Sequence, residues 1–300
     1  KNEIGKSTYT QMLNESGGIE ADLTVICIDK DYFRIISSAA TRTHDKAHIL
    51  KNLSKDLNFK DVTDDYSCLG IFGPKSRDLL SKLSTDDFSK ETFKFGDGKS
   101  SNINSKKVWI QRLSYVGELG YEIYLKIEDA KSIYNLIIEE GEKFKLSLCG
   151  SHAMDVMRME SGFLHWGHDI SPEENQFEAG LNFAISFKKD ANFIGKEQLT
   201  KYKDKKPKKR FIMLSLKNNN PGQPLLLHEE PIYLDDKIIG RTTSGNYSFN
   251  YNKNLSFGYV SSDYSNHELS DKNLYIEVAK CKHPVNVELH PLKSSKIRYS

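Results

Sequence analysis

No apolar run in these 300 residues approaches the ~18 that a membrane-spanning helix needs, so nothing reads as a transmembrane segment. Cysteine is scarce. Cys27, Cys68, Cys149 and Cys281 are scattered, without the spacing of a metal site or a redox pair, and read as reduced, mostly buried thiols of a cytoplasmic protein. Charge of one sign is lacking too: 43 Lys and Arg face 41 Asp and Glu, a net of +2, which gives no field for nucleic acid or a membrane surface. No G-x-G-x-x-G follows a strand, so a dinucleotide is not held by a Rossmann turn. Ser244 sits in Thr243-Ser244-Gly245-Asn246, outside the strand-turn-helix setting of a nucleophile elbow. His165 and His168 have Gly167 between them and no third ligand nearby, which speaks against a metal.

Two glycine turns, each followed by an acid, stand out against that background. Gly17-Gly18 can take backbone angles closed to other residues, and the β-branched, apolar run Leu23–Ile28 after them predicts a strand. Alternation puts Leu23, Val25 and Cys27 on one face and Asp22 on the other. Asp22 can close an Asx turn, or it can be an acid placed for chemistry at the mouth of a hairpin. The second turn, Gly117 to Gly120, joins predicted strands Val108–Tyr115 and Tyr121–Leu125. There Tyr121, Ile123 and Leu125 share one face, leaving Glu122 and Tyr124 on the other. A carboxylate beside aromatic rings can accept two parallel hydrogen bonds from a flat heterocycle such as a pterin; alone, the hairpin equally allows a solvated Glu122.

Elsewhere the spacing of Ala47, Leu50, Leu53 and Leu57 predicts an amphipathic helix from His44 to Leu57. Tyr66–Phe72 predicts a strand, Gly73-Pro74 the start of a helix, and the polar 97–105 stretch a loop. Further helices are expected around Ala130–Ile138 and from His152 to Ser161, the latter capped by Ser151 and ended by Gly162. Arg158 and Glu160 read as a buried ion pair, and Glu178 as a turn or strand cap. The basic Lys201–Arg210 run with its Pro207 predicts a linker, and the short strand-like runs beyond it a small barrel.

Four ordered segments, YTQMLNESGGIEADLTV (9–25), SYVGELGYEIYL (114–125), MRMESGFLHWGHDI (157–170) and FEAGLNFAISFKKDANFIGKEQL (177–199), resemble the aminomethyltransferase family of glycine-cleavage T-proteins. They are most similar to the branch fused behind flavin domains in sarcosine and dimethylglycine dehydrogenases. The resemblance implies an α+β, T-protein-like folate-binding fold of mixed sheet and helix subdomains with a small C-terminal β-barrel. It divides the chain into a folate-binding core over 1–200 and a barrel over 208–300. It also implies that Asp22 lies at the reactive nitrogens of tetrahydrofolate as the catalytic acid-base group, and that Glu122, Tyr115 and Tyr9 bind the pterin. T-proteins carry Arg where this chain has Met154, which favours the flavin-fused branch.

The expected activity is tetrahydrofolate-dependent one-carbon transfer forming 5,10-methylenetetrahydrofolate, with a small N-methylated amine or its iminium as donor. FAD, if used, lies in a domain or subunit outside this chain, and the resemblance starts inside a strand, as for an N-terminally truncated member. Two other readings stay open: methyl transfer from a sulfonium or methylamine donor to tetrahydrofolate, and a non-catalytic folate-binding module.

Overall fold

A computed structural model describes residues 3–218 and 220–294. They fall into two compact units, one of residues 3–9 and 23–150, the other of Thr10–Asp22 and 151–294. Strands β1 (Ser7–Leu13) and β2 (Ile19–Asp29) both run through the division, and with β3 (Tyr32–Ile36) they form a three-stranded sheet ordered β1-β2-β3.

The first unit is built on an antiparallel sheet ordered β4-β7-β6-β5, from β4 (Tyr66–Phe72), β5 (Gly98–Ile103), β6 (Lys106–Gln111) and β7 (Gly120–Lys126). Helices α2 (Ser76–Leu83) and α3 (Ala130–Gly141) supply Leu79, Leu80, Leu83, Ile133 and Ile137 to its core. The sheet answers with Ile71, Val108, Ile110, Tyr121, Ile123 and Leu125, every second residue of each strand. The residues between them point to the opposite face. Tyr66–Phe72 is the strand predicted, and the Gly73 turn before α2 carries φ +118°.

Three expectations for this unit change. Residues 98–103 are the edge strand β5, not loop: Ser101 and Ile103 are buried while Ser100 and Asn102 face out, and pairing with β6 supplies what hydrophobicity does not. The strand predicted to reach Tyr115 stops at Gln111, because Arg112 is buried and its N–H bonds Asp97 O at 2.7 Å, outside the ladder. Helix α1 is Arg42–Asn52, shorter than predicted, and its one buried residue is Asp45, which accepts from Thr41 Oγ1 at 2.6 Å. Leu50 and Leu57 are exposed. Leu53 turns extended and ends the helix, and beyond it the Ser54 side chain donates to the Asp56 carboxylate.

In the second unit, α4 (Ser151–Glu160) ends at Gly162, whose φ of +72° lets Phe163 N–H reach back to Arg158 O at 2.9 Å. Helix α5 (Lys196–Tyr202) takes the first residues of the predicted linker, and Lys209-Arg210 open β8, leaving only 203–208 as connection. Strands β8 (Lys209–Leu216), β9 (Pro231–Leu234), β10 (Lys237–Ser248), β11 (Lys253–Ser261), β12 (Leu274–Val278) and β13 (Cys281–Glu288) close into a six-stranded barrel. Ile212, Leu214 and Leu216 face its interior, while Met213 between them joins Phe257, Met159 and Ile19 in a separate core.

Arg158 and Glu160 are both buried, but not as a pair, since consecutive alternate positions on a helix do not face each other. The Arg158 guanidinium bonds Asp155, Asp169 and Ser244, and Glu160 accepts from Ser248 and Asn250. Asp169 also accepts from Thr243 Oγ1 at 2.6 Å, Ser244 Oγ at 2.8 Å and His165 N at 3.0 Å. This occupies both Asp169 and Ser244. Asp169→Ala should therefore destabilise the protein by about 3 kcal/mol, the scale for breaking a buried pair. Chemical denaturation reads this directly, and an unchanged midpoint would mean that Arg158 needs no counter-charge here.

Candidate functional site

The open face of the β4-β7-β6 sheet carries a recess whose floor follows from the register. Gly70 pairs with Glu122 and Glu122 with Gln111; Cys68 pairs with Tyr124 and Tyr124 with Trp109. Phe72 occupies the same face, and its ring lies where side chains at Gly70 and Gly120 would be, 2.4 and 2.2 Å from their Cβ positions. The two glycines make room for an aromatic plate beside Glu122.

Glu122 is half-buried, and Tyr124 Oη, which donates to Oε2, is its one hydrogen-bond donor among the described residues. Burial raises the Glu122 carboxyl above its usual range, and the Tyr124 bond only partly offsets this. Burial also raises the Tyr124 phenol, with the Glu122 charge adding to it. Cys68 opens to solvent on this face, yet its thiol is pushed up to about 12, first by desolvation and then by Glu122, so it is neutral at pH 7. Of the four cysteines expected to be mostly buried only Cys27 is, because the other three stand on an open sheet face, in a connection and at a strand start.

Tyr115 lies half-buried in the connection between β6 and β7, and Tyr9 is 39% exposed on β1. Both belong to the unit that holds Glu122. Asp22 belongs to the other, on β2, where Gln11 Nε2 donates to it at 2.9 Å. Its hairpin is tied down: Gly17 has φ +83°, Gly18 N–H bonds Asn14 Oδ1 at 2.8 Å, and a Cβ at Gly18 would fall 1.9 Å from Pro172 O. Glu20 and Asp22 are half-buried while Ile19, Ala21 and Leu23 are buried, so Asp22 is on the face opposite Leu23.

Sequence reasoning did not find Cys68 as a member of the recess, nor Arg34, whose guanidinium carbon lies 5.6 Å from the Tyr124 ring centre. Cys68 enters only through its register with Tyr124, and Arg34 through the path of β3; neither has a local signal. A cleft of about 630 Å³ along the barrel is lined by Glu174, Lys209, Glu229 and Arg241, but these charges pair with one another. The His165 and His168 rings lie tilted against each other with centres 4.6 Å apart, and among the described residues no three His, Cys, Asp or Glu are arranged for a metal.

The sequence matches the GCVT N-terminal domain over residues 1–189 and the glycine cleavage T-protein C-terminal barrel domain over 209–293. The chain belongs to the glycine-cleavage T-protein family. Members of this family are folate-dependent aminomethyl- and methyl-transfer modules. Aminomethyltransferase of Listeria monocytogenes is 32% identical over 265 residues, covering 88% of this chain and 71% of that protein. Human mitochondrial dimethylglycine dehydrogenase is 34% identical over 261 residues, covering 86% of this chain and 30% of the relative. The 4-methylaminobutanoate oxidase (formaldehyde-forming) of Paenarthrobacter nicotinovorans is 36% identical over 247 residues, 82% of this chain and 30% of that one. This chain thus spans under a third of the length of these two relatives. The fold matches the glycine cleavage system aminomethyltransferase T from Bartonella henselae at a TM-score of 0.83 and 22% identity, over 97% of this chain and 76% of that one. No described helix is long and apolar enough to cross a membrane.

The raised Glu122 carboxyl has a consequence for stability. Folded protein holds this proton more tightly than unfolded chain, so between the ordinary value of 4.5 and the higher folded value stability falls as pH rises. Glu122→Gln removes that loss. The variant, free of ligand, should melt at or above wild type at pH 7, with the gap closing below pH 4.5. Thermal melts from pH 4 to 8 test this, and a variant less stable at neutral pH would make Glu122 a structural group.

Proposed function

We propose that this chain is a tetrahydrofolate-dependent one-carbon transferase that forms 5,10-methylenetetrahydrofolate from an amine-derived iminium. The observation that carries the reading is Glu122: a half-buried carboxylate whose burial disfavours its charge, given one hydrogen bond by the protein and left open beside Phe72 and Tyr124. Such a group costs stability, so its worth lies in what it binds. Its acceptor pair fits the ring N–H and exocyclic amine of a pterin edge, and aromatic rings fit the pterin's faces. Tetrahydrofolate supplies the nucleophilic nitrogens that take up the one-carbon unit.

The chain's residues hold and deprotonate. Glu122 fixes the pterin edge, while Tyr115 and Tyr9 position the ring, a contribution of orientation. Asp22 accepts the proton that the attacking nitrogen loses and stabilises positive charge there. The folate-binding core takes 1–200 and the barrel 208–300. The likeness to dimethylglycine dehydrogenase and 4-methylaminobutanoate oxidase supports a flavin dehydrogenase domain or subunit as the source of the iminium. FAD belongs there, since no side chain accepts a hydride and these residues carry no dinucleotide turn. The site of action in this reading is cytoplasmic, with no nucleic-acid or membrane partner.

Two variants test the assignment. Glu122→Gln keeps one acceptor of two and should bind tetrahydrofolate at least roughly 10-fold more weakly, as expected for a charge-assisted bond. Asp22→Asn should bind folate as wild type does but form product roughly 10²–10⁴-fold more slowly, the range for loss of a general base. Calorimetry and single-turnover assays with formaldehyde as carbon source separate the two effects. Normal turnover by Asp22→Asn would return that residue to a turn-closing role.

A further inference from the structure

Arg34 on β3 is a half-buried cation with no counter-charge among the described residues. Its register partner on β2 is Ile26, so no polar group faces it across the ladder. The guanidinium carbon sits 4.9 Å from the ring centre of Tyr66 and 5.6 Å from that of Tyr124. Nε and Nη1 are shut off from solvent and have no hydrogen-bond partner, and no carboxylate of the described residues pairs with Arg34. Arg158 is the contrast within this protein: buried more deeply still, it bonds two carboxylates, a carbonyl and a hydroxyl. A guanidinium cannot shed its charge as a buried lysine can, so the missing partner is not replaced by deprotonation.

The position is functional rather than incidental because of Tyr124. The ring that Arg34 covers is the one whose hydroxyl donates to Glu122, which places the cation beside the same recess. Lys126 Nζ lies 4.4 Å from the Tyr66 ring centre and adds a second positive charge at that end of the sheet. Two donors without a partner, held against aromatic rings at the margin of the recess, leave bonding capacity that a flat two-oxygen anion can fill.

We infer that Arg34 is a carboxylate receptor of the recess, the anchor for the anionic end of a reactant whose other end meets the chemistry. This rests on the reading of the chain as a folate-dependent transferase, in which both reactants carry a carboxylate and neither a phosphate: the glutamyl tail of tetrahydrofolate and the carboxyl group of an N-methylated amino acid. Either source satisfies the same chemistry, and the test separates them.

The experiment is titration calorimetry of wild type, Arg34→Met and Glu122→Gln with tetrahydrofolate, with tetrahydropteroate (which lacks the glutamate) and with N,N-dimethylglycine. If the folate tail is the anion, Arg34→Met binds tetrahydrofolate roughly 10-fold or more weakly and tetrahydropteroate as wild type does. If the amino acid is the anion, only N,N-dimethylglycine weakens. Arg34→Lys, which keeps charge but not the fork, gives an intermediate loss and serves if the Met variant does not fold. Removing unpaired buried donors should leave the ligand-free melting temperature of Arg34→Met equal or higher. Unchanged affinity for all three ligands, or equal weakening of both folates, overturns the inference. Glu122→Gln, by contrast, should weaken both folates alike. If wild type binds neither folate, the transferase reading fails, and the Arg34 inference falls as well unless N,N-dimethylglycine binds and Arg34→Met loses it.

Discussion

Everything at the recess follows from the period of two along a strand in a sheet whose core lies on one side. Helices α2 and α3 pack with Tyr121, Ile123 and Leu125, so Glu122 and Tyr124 must point away from that core. A slip of one residue would bury Glu122 among leucines and expose three core side chains. The hydrophobic effect that fixes the register therefore also fixes the acid. Precision at the site costs nothing extra, because the same packing that stabilises the unit holds the carboxylate in place.

The second unit uses polar groups for the same end. Asp169 and Arg158 lie where water cannot reach, and their remaining bonding capacity is filled from α4, the 163–170 segment and β10. A helix, the segment that follows it and a barrel strand more than seventy residues on meet on one carboxylate. A buried charge with a full set of partners locks an arrangement that apolar contacts alone leave free to slide. Arg34 illustrates the opposite state, a cation kept in place by ring faces but left without an anion.

Much of this was legible in sequence where local pattern and tertiary outcome agree. The alternation of 121–125, the strand at Tyr66–Phe72, the Gly17-Gly18 turn and the barrel strands all carry their own signals. The failures have one cause, interactions that no local window contains. Strand β5 exists because β6 accepts it, and Arg158 and Glu160 choose partners about ninety residues away. The candidate site divides in the same way. Glu122 and Asp22 announce themselves as acids beside glycine turns, whereas Arg34 and Cys68 are placed by pairing between strands and have no spacing to betray them.

The Phe72 plate ties three positions into one degree of freedom. Its ring fills the volume that a methyl group at Gly70 or Gly120 would claim, with both backbones at van der Waals range. Any drift toward alanine at either glycine must be answered by a smaller residue at 72, and a smaller residue at 72 leaves a hollow beside the acid. Gly70, Phe72 and Gly120 can therefore change only as a set, and the width of the recess is written in a triplet rather than in any single residue.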